Sequence, residues 1–569
     1  MNTFKKKSLC AALAGLGALG MVGAAQAVSI NPDGLGQVLI YPYYTVRANA
    51  DGDTFNSLLS IVNSTDEGKA VKVRFLEGKA SHEVLDFNLY LSPYDVWAAA
   101  VFDNGSGASI KTSDTSCTYG NLLAQGDAGQ AFRNSLFSSS LADGEDASLD
   151  RTREGYVELI EMAEIIKNSP TYTAIKHAAD ADGKWAPPNC AAVKDGGHNA
   201  IDADQWAKDD LTTPKGGLFG GMTVLNPRLA RAAGYEATAL NGFFDSTTVA
   251  GDLPGAPSAR VAGTLWFPSG TMNPNLSMAY PANSIVVDGN FAVINTGWRG
   301  TDFIEGNPVT GVPATAWKTE GARRSVYLPG LDAVAAVLTR STIMNEYMTA
   351  DSVGGATDWV VTMPTKGLHF DRATDQLEPR SLFQNVFAKG GSCDSITFGI
   401  YSREEQGEVV EDGEGWSPVV DPTAPGASLC WEANVIEIKG PSSADRSVFH
   451  SENVNKMASE YDNGWAILNI KVDRANLLAD YDSKIINAPV QYAAHLLDAT
   501  GTRSVIDLRT GVAPAVGVLA PTGATYNGLP MVGFATQLFN NKALESSAYG
   551  KVWASYASRM DHRYQRDID

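Results

Sequence analysis

Acidic side chains are the residues of this sequence whose types could support catalysis, because paired carboxylates can hydrolyse a glycosidic bond. That reaction needs two carboxyl groups about 5 to 10 Å apart, one that donates a proton and one that acts as base or nucleophile. The candidate pairs are Glu158 with Glu404 and Glu405 with Glu432. Because the chain has 64 acidic residues, chance supplies many such pairs, and a glycoside hydrolase is therefore the alternative hypothesis.

Acidic turns form a second group of candidate functional residues, since carboxylate oxygens are ligands that calcium prefers. The segments NADGD (49–53), DADGK (180–184) and EDGEG (411–415) place carboxylates at alternate positions beside a glycine. None continues as an EF-hand loop, because no glutamate stands at the twelfth position. Solvated Asp-Gly turns explain the pattern equally well. Calcium is therefore the one cofactor hypothesis, with the candidate ligands Asp51, Asp53, Asp180 and Asp182.

Other catalytic motifs are missing from the sequence. None of the seven histidines lies three or four residues from another, so HExxH and paired-histidine metal motifs are excluded. The chain also lacks a Gly-x-Ser-x-Gly nucleophile elbow and a P-loop. Its one dinucleotide fingerprint, Gly15-x-Gly17-x-x-Gly20, lies in an N-terminal apolar run where no strand and helix can frame a pyrophosphate.

Tryptophan side chains are the candidate sugar-binding residues, since a flat aromatic face can stack on a pyranose ring. Of the eleven tryptophans, Trp185 and Trp416 stand in polar segments and are the better candidates. Trp359, Trp431 and Trp465 lie inside apolar strand patterns, so the sequence predicts that these three are buried in a core.

The N-terminus has the pattern of a secretory signal peptide. Three lysines precede an apolar run from Leu9 to Ala25, and the run ends in Ala25-Gln26-Ala27, so cleavage is expected after residue 27. No later stretch offers about 18 consecutive apolar residues, so no transmembrane helix is expected in the mature chain. Loss of the three lysines takes the formal charge from −20 to −23, which disfavours nucleic acid as a partner.

Four cysteines follow the predicted cleavage site, and an exported protein usually oxidises its thiols. Four thiols allow three pairings. We favour Cys117 with Cys190 and Cys393 with Cys430, because each pair then stays within one half of the chain. No CxxC or Cys/His cluster indicates zinc.

The elements that must position these residues are mainly strands. Segments 37–46, 57–63, 70–78 and 84–91 are rich in Val, Leu, Ile, Phe and Tyr, and polar turns separate them. This spacing predicts an antiparallel β-sandwich over residues 28–170. In AVKVRFLEG (70–78), the alternation predicts that Lys72 and Arg74 face solvent from a half-buried sheet.

The rest of the chain predicts a mixed middle region and a second β-rich domain. Residues 171–349 combine a loop held by a disulfide with one clear helix over 331–348, where apolar residues recur at helical spacing after Pro329. Residues 350–569 return to strand patterns. The fold class is therefore mainly β, with two antiparallel sandwich-like domains, an α/β middle region and long loops.

Several phrases resemble one family of proteins, namely SLLSIVNSTDEGKAVKVRFLEGKASHEVLDFNLYLSPYDVW, REGYVELIEM, IMNEYMTADSVGGATDWVVTMPTK, LCWEANVIEI and the closing HRY. They are similar to a family of uncharacterised exported proteins of Gram-negative bacteria. The resemblance implies an envelope or cell-surface address and carries no catalytic residues. We expect a non-catalytic secreted, periplasmic or cell-surface protein with a structural, adhesive or polymer-binding role, whose partners are an extracellular polymer or further copies of itself.

Overall fold

The structure is a computed structural model, and it describes most of the chain after residue 27. The described residues are 28–49, 52–138, 143–193, 210–229, 231–243, 274–278, 283–287, 293–295, 325–326, 330–371, 376–377, 383, 391–410, 428–441, 447–470, 526–541, 545–546, 550–551, 554–565 and 567–568. The predicted signal peptide lies outside these residues.

Two antiparallel sheets make up the N-terminal half. Sheet 1 has the spatial strand order Ser29–Ile30, Thr238–Asn241, Val38–Thr45, Glu154–Ile165, Gly68–Glu77, Glu83–Leu91 and Cys117–Thr118, and Leu211–Thr212 pairs with the end of Glu154–Ile165. Sheet 2 has the order Arg231–Glu236, Leu218–Asn226, Asn56–Asn63, Val96–Asp103, Ala108–Lys111 and Gln130–Ala131. Strands between 211 and 241 therefore join this half, from the segment that the sequence assigned to the middle region.

The core of this half lies between the two sheets. Alternate residues of Gly68–Glu77, such as Val71 and Val73, belong to the same buried cluster as Leu59, Ile61 and Trp97 of sheet 2. A pleated strand points successive side chains to opposite faces, so this cluster uses one face of each sheet. The arrangement is the sandwich that the alternation predicted.

Two further sheets make up the C-terminal half. Sheet 3 has the order Val454–Ala458, Ala433–Lys439, Ala356–Thr362, Val532–Asn541 and Ala554–Asp561, and only its first two strands are parallel. Sheet 4 has the order Gly407–Val410, Asp394–Ser402, Asn463–Ile470, Thr342–Met348 and Arg563–Gln565, with Ser428–Leu429 beside Asp394–Ser402. Trp359 of sheet 3 packs on Phe398 of sheet 4 in the core between them. The mainly β, sandwich-like fold class is confirmed.

The two halves share a buried contact. Val360, Val435 and Phe534 of sheet 3 extend the N-terminal core, and the ring of Phe534 stacks on Tyr235 of sheet 2. The segment 447–453 adds polar contacts, because Ser451 donates a hydrogen bond to Glu154 at 2.6 Å. A buried apolar contact of this kind holds the sandwiches together as packed layers.

Short helices and small strand pairs complete the described chain. The α-helices are Pro170–Ile175 and Gly330–Leu338, and the 3-10 helices are Leu122–Ala128, Leu149–Arg153, Cys190–Ala192, Leu276–Met278, Asp351–Val353 and Lys366–His369. The remaining strands are Ala178–Ala179, Trp185–Ala186, Asn283–Val287, Val293–Asn295, Ser325–Val326, Thr339–Arg340, Phe370–Asp371, Gln376–Leu377, Tyr526–Asn527, Leu529–Pro530, Glu545–Ser546, Gly550–Lys551 and Asp567–Ile568. No helix in the described part of the chain has the length and apolarity that crossing a membrane requires.

The predicted helix over 331–348 is shorter than expected. It covers Gly330–Leu338, and the chain then runs as strand through Thr342–Met348 in sheet 4. The period of burial changes at this point, because Ile343, Asn345 and Tyr347 are buried at alternate positions. β-Branched residues such as Thr342 and Ile343 also favour a strand over a helix.

The solvent exposure predicted for Lys72 and Arg74 is wrong. Every residue of Gly68–Glu77 is buried, on both faces of the strand. The second face of sheet 1 lies under other segments, among them the two α-helices, whose Ile175 and Val334 join Ile160 in one buried cluster. Alternation of charged and apolar residues therefore marked two different buried faces here.

Both predicted disulfides are confirmed. Cys117 is bonded to Cys190 and Cys393 to Cys430. The first bond ties an edge strand of sheet 1 to the loop that follows Pro170–Ile175. Each bond closes a loop within one half of the chain, as the pairing by proximity predicted.

Candidate functional site

The covered face of sheet 1 carries a row of charged side chains. Arg74 contacts Glu158 at 2.6 Å and Glu83 at 2.7 Å, and Lys72 contacts Asp86 at 2.7 Å. The strand register explains the first contact, because Arg74 stands directly opposite Glu158. Each ion pair offsets the cost of removing its members from water.

Glu158 is the most perturbed carboxyl of this row. Burial raises the pKa of Glu158 to about 7, against the attraction of the Arg74 guanidinium. A carboxyl near neutrality could act as a general acid if substrate reached it. Its side chain is closed off from solvent, however, and its contact is with a structural cation. The geometry assigns Glu158 to the packing of sheet 1.

The four candidate hydrolase carboxylates differ in burial. Glu158 and Glu432 are buried, whereas Glu404 and Glu405 are exposed in the turn between Asp394–Ser402 and Gly407–Val410. Each predicted pair therefore joins one buried and one exposed side chain. Glycoside hydrolysis needs both carboxyls at the same sugar, and in each predicted pair only one carboxyl is open to solvent.

The predicted calcium turns are partly described. The Oδ1 atom of Asp180 accepts backbone hydrogen bonds from Asp182 and Lys184, so this carboxylate closes the hairpin between Ala178–Ala179 and Trp185–Ala186. Asp53 lies 3.5 Å from the guanidinium of Arg228. Asp51 and the segment 411–415 lie outside the described residues. Within the described chain, no group of three or more His, Cys, Asp or Glu side chains is placed to hold a metal ion.

The tryptophans divide differently from the sequence prediction. Trp359 is buried between sheets 3 and 4, as predicted. Trp465 was expected in the core as well, and that prediction is wrong, because 41% of its surface is exposed. Trp431 is half-buried, with the ammonium of Lys79 5.1 Å from its ring centroid. Trp416 lies outside the described residues.

Trp465 lies on the outer face of sheet 4, where strand alternation determines its direction. Its neighbours Ala466 and Leu468 point into the core with Ile400, so Trp465 points to the other side. The register places Tyr401 opposite Trp465 on one neighbouring strand and Glu346 opposite it on the other. The two aromatic rings stack, with centroids 4.6 Å apart and an interplanar angle of 14°.

A glycine supports the stacked pair from behind. A Cβ at Gly407 would lie 2.4 Å from Cδ1 of Tyr401, so only glycine leaves room for the ring at this position. The Tyr401 ring thus lies between Gly407 and Trp465, which restricts its rotation. Glycine beside a cross-strand aromatic ring is a recurrent arrangement in edge regions of sheets. We refer to Glu346, Tyr401 and Trp465 as the Trp465 surface.

The chemistry of the Trp465 surface suits a sugar. An aromatic face attracts the C–H groups of a pyranose ring, because the face carries the negative part of the ring's quadrupole. The exposed carboxylate of Glu346, next to Trp465, can accept hydrogen bonds from hydroxyl groups. Cross-strand aromatic pairs also stabilise a sheet, which is the alternative use of this arrangement. The signal in the sequence was the alternation of Trp465 and Asn469 against Ala466 and Leu468.

Trp185, the stronger candidate from the sequence, is also exposed. It lies in the strand Trp185–Ala186 of the hairpin, and 66% of its surface is accessible. Tyr401 covers one face of the Trp465 ring and fixes its orientation, whereas among the described residues no aromatic ring packs on Trp185 in this way. Trp465 is therefore the better placed of the two.

No known protein family matches this chain, and neither the curated proteins nor the solved structures contain a match to it.

Proposed function

We propose that this protein is a non-catalytic, exported carbohydrate-binding protein that holds a polysaccharide at the cell envelope or cell surface. The observation that carries the proposal is the exposed ring of Trp465, which stacks on the half-buried ring of Tyr401 with Glu346 beside it. Exposing an indole ring from a strand whose other face is in the core costs apolar burial, so a binding role gives a reason for its exposure.

Export is supported by two independent features of the chain. Residues 1–27 have the pattern of a signal peptide. Cys117–Cys190 and Cys393–Cys430 are disulfides, which persist in oxidising compartments outside the cytosol. The resemblance to exported proteins of Gram-negative bacteria supports the same address.

The net charge indicates the type of polysaccharide. The formal charge of −23 expected for the mature chain repels anionic polymers at low ionic strength. Stacking on Trp465 depends on C–H groups, which every pyranose provides, and does not require charge on the sugar. The proposed ligand is therefore a neutral polysaccharide with exposed pyranose faces.

The test is co-sedimentation of the purified protein with insoluble neutral glycans, such as cellulose, chitin and β-1,3-glucan, beside soluble glycans in affinity gels. We expect retention by at least one neutral glycan, and we expect the double variant Tyr401→Ala/Trp465→Ala to lose about 10-fold or more of the affinity. Trp185→Ala is the matched control, because it removes an exposed indole elsewhere and should retain full binding.

Two results would reject the proposal. One is the absence of retention by every neutral glycan in the panel. The other is equal binding by the double variant and the wild-type protein. Release of reducing ends from a bound glycan would instead support the hydrolase alternative, which we do not expect, since the candidate carboxylate pairs do not share one accessible site.

A further inference from the structure

Sheet 2 presents a second surface that the proposed glycan site does not use. Its inner face is in the core, and its outer face carries exposed apolar side chains: Leu58 is 42% exposed, Val96 50% and Phe219 41%. We call the outward side chains of its five longer strands the sheet 2 face. The face surrounds a shallow groove of about 940 Å³, lined among others by Leu58, Ala98 and Ala100. Exposed apolar surface of this extent marks an interaction site more often than open solvent.

Charge on this face is confined to its two lateral rims. Among the described outward positions of these five strands, only Lys111 on one edge strand and Glu236 on the other are charged. Lys111 pairs with Asp127 at 3.4 Å, and the opposite rim also carries Arg559, which pairs with Asp561. The centre between the rims is formed by small and apolar side chains.

The strand order makes the face nearly symmetric about its middle. Asn56–Asn63 is the third of the five strands, with Leu218–Asn226 and Val96–Asp103 on either side of it. We propose that the sheet 2 face binds a second copy of this chain, related by a two-fold axis that lies in the interface along Asn56–Asn63. Such an axis places Leu58 of one copy beside Leu58 of the other. Face-to-face packing of two sheets about 10 Å apart is a common way to cover an apolar sheet surface.

Charge complementarity between the rims favours a second copy over other occupants. Rotation about that axis brings the Lys111 rim of one copy over the Glu236 rim of the other, on both sides of the interface. Residues paired across the five strands form rows that run perpendicular to the strands. Lys111 lies in the same row as Leu58, Thr223 and Gly234, and Glu236 lies in the next row, two residues along its strand from Gly234. One row is about 7 Å along a strand, a distance that a lysine side chain spans. The same rotation brings Asp127 toward Arg559.

The size of the face fits a modest but specific dimer. The three central strands have four outward positions each, Arg231–Glu236 has three and Ala108–Lys111 has two, and at about 4.8 Å between strands and about 7 Å between outward positions they cover about 550 Å² per copy. About 1,100 Å² in total lies just below the range of stable protein interfaces, so we expect a weak dimer that dissociates on dilution. Isologous contacts of this type close on themselves and give dimers instead of filaments.

Sedimentation of the purified protein over a range of concentrations tests the proposal. We expect a monomer–dimer equilibrium, and we expect Leu58→Glu to raise the dissociation constant about 100-fold or more, because it places two carboxylates at the axis. Val353→Glu is the control, since Val353 is similarly exposed in the 3-10 helix Asp351–Val353 of the C-terminal half and should leave the equilibrium unchanged.

A charge swap gives an independent readout. Lys111→Glu or Glu236→Lys alone should weaken the dimer, because like charges then meet at both rims, and the double swap should restore it. A bismaleimide that spans about 10 Å, the spacing of the packed sheets, should link Ser60→Cys, next to the axis, into a covalent dimer, whereas Thr397→Cys on the outer face of sheet 4 should stay unlinked.

Three outcomes would overturn the proposal: a wild-type protein that is monomeric at all accessible concentrations, a dimer that Leu58→Glu leaves intact, or a folded Leu58→Glu variant that loses glycan retention while the wild type is monomeric. The last result would assign the sheet 2 face to the polymer. Near-ultraviolet circular dichroism verifies that each variant is folded. Failure of glycan binding at Trp465 would not affect this test, because the two surfaces lie on different sheets.

Discussion

Strands of sheet 1 and sheet 4 have similar alternating sequence patterns, but their outer faces differ in solvent exposure: the outer face of sheet 1 is covered and that of sheet 4 is open. In AVKVRFLEG, apolar residues alternate with Lys72 and Arg74, and those charges are buried. In NGWAILNI (463–470), buried Ala466 and Leu468 alternate with Trp465, and that large aromatic residue is exposed. Residue type alone would have assigned the two faces the other way round.

The difference teaches that the alternation of a strand gives its two faces but not what covers them. Sheet 1 lies in the middle of the packed layers, so its charged side chains must pair with one another. Sheet 4 lies at the outside, so an aromatic side chain on its outer face meets water. A charge in a covered face indicates a paired network, and an aromatic ring on an uncovered face is a candidate for binding.

The largest effect is expected from removing the central cation of sheet 1. Arg74→Met leaves Glu158 and Glu83 without their guanidinium partner, and we expect a loss of about 5 kcal/mol in the free energy of unfolding at pH 8. Urea unfolding followed by tryptophan fluorescence measures it. The control is Arg403→Met in an exposed turn, which should change stability by less than about 0.5 kcal/mol. Equal effects of the two substitutions would show that the covered face is not a paired network.

Removal of the buried tryptophan Trp359 should give the next largest loss in the free energy of unfolding. Trp359→Ala removes a ring from the core between sheets 3 and 4, and we expect a loss of about 4 kcal/mol. The same urea titration applies. A loss below about 1 kcal/mol would contradict the assignment of Trp359 to a packed core.

The pH dependence of stability should report the buried carboxyl of sheet 1. Burial raises the pKa of Glu158 from 4.5 to about 7, so the folded state binds a proton more tightly than the unfolded state. The free energy of unfolding should therefore fall as the pH rises from about 4.5 to 7, by up to about 3 kcal/mol from this group. Glu158→Gln should remove this component.

Two histidines change the stability with pH in the opposite direction from Glu158. The contribution of Glu158 is therefore measured as the difference between the wild type and Glu158→Gln. Burial lowers the pKa of both His450 and His562 from 6.5 to about 4, and their contribution to stability is lost as the pH falls from about 6.5 to 4. Asp358, whose pKa burial raises to about 7, acts in the direction of Glu158. Parallel pH profiles for wild type and Glu158→Gln would contradict the prediction for Glu158.

The smallest effect on stability is expected at the exposed face of sheet 4. Trp465→Ala removes a cross-strand stacking partner of Tyr401 and little core packing, so we expect a loss of about 1 kcal/mol. Urea unfolding of Trp465→Ala beside Trp359→Ala measures the contrast within one protein. Similar losses for both would mean that Trp465 serves the core.

Local patterns in the sequence predicted the strands and the disulfide pairing. Apolar alternation identified the strands of sheets 1 and 2, because burial on at least one face imposes a period of two. Cys117 is bonded to Cys190 and Cys393 to Cys430, the pairing that proximity along the chain favoured. The helix end at Leu338 was missed, because a short apolar run fits both periods until the alternation from Ile343 to Tyr347 is considered.

Long-range packing explains what the sequence could not give. The sequence predicted solvent exposure for Lys72 and Arg74 because this face of sheet 1 is covered by other segments of the chain, among them the α-helices that contain Ile175 and Val334. Exposure of Trp465 depends on sheet 4 having no layer outside it in the described chain, which no local window contains. Buried charge pairs and exposed aromatic residues are both properties of the stacking of layers.

Oxidation of tryptophan by N-bromosuccinimide, located by peptide mass spectrometry, tests the central claim most directly. Without ligand, the exposed rings of Trp465 and Trp185 should react and buried Trp359 should not. With a saturating neutral glycan, we predict that oxidation of Trp465 slows several-fold and that of Trp185 is unchanged. An unchanged rate at Trp465 with glycan bound, or protection of Trp185 alone, would contradict the assignment of the Trp465 surface as the binding site.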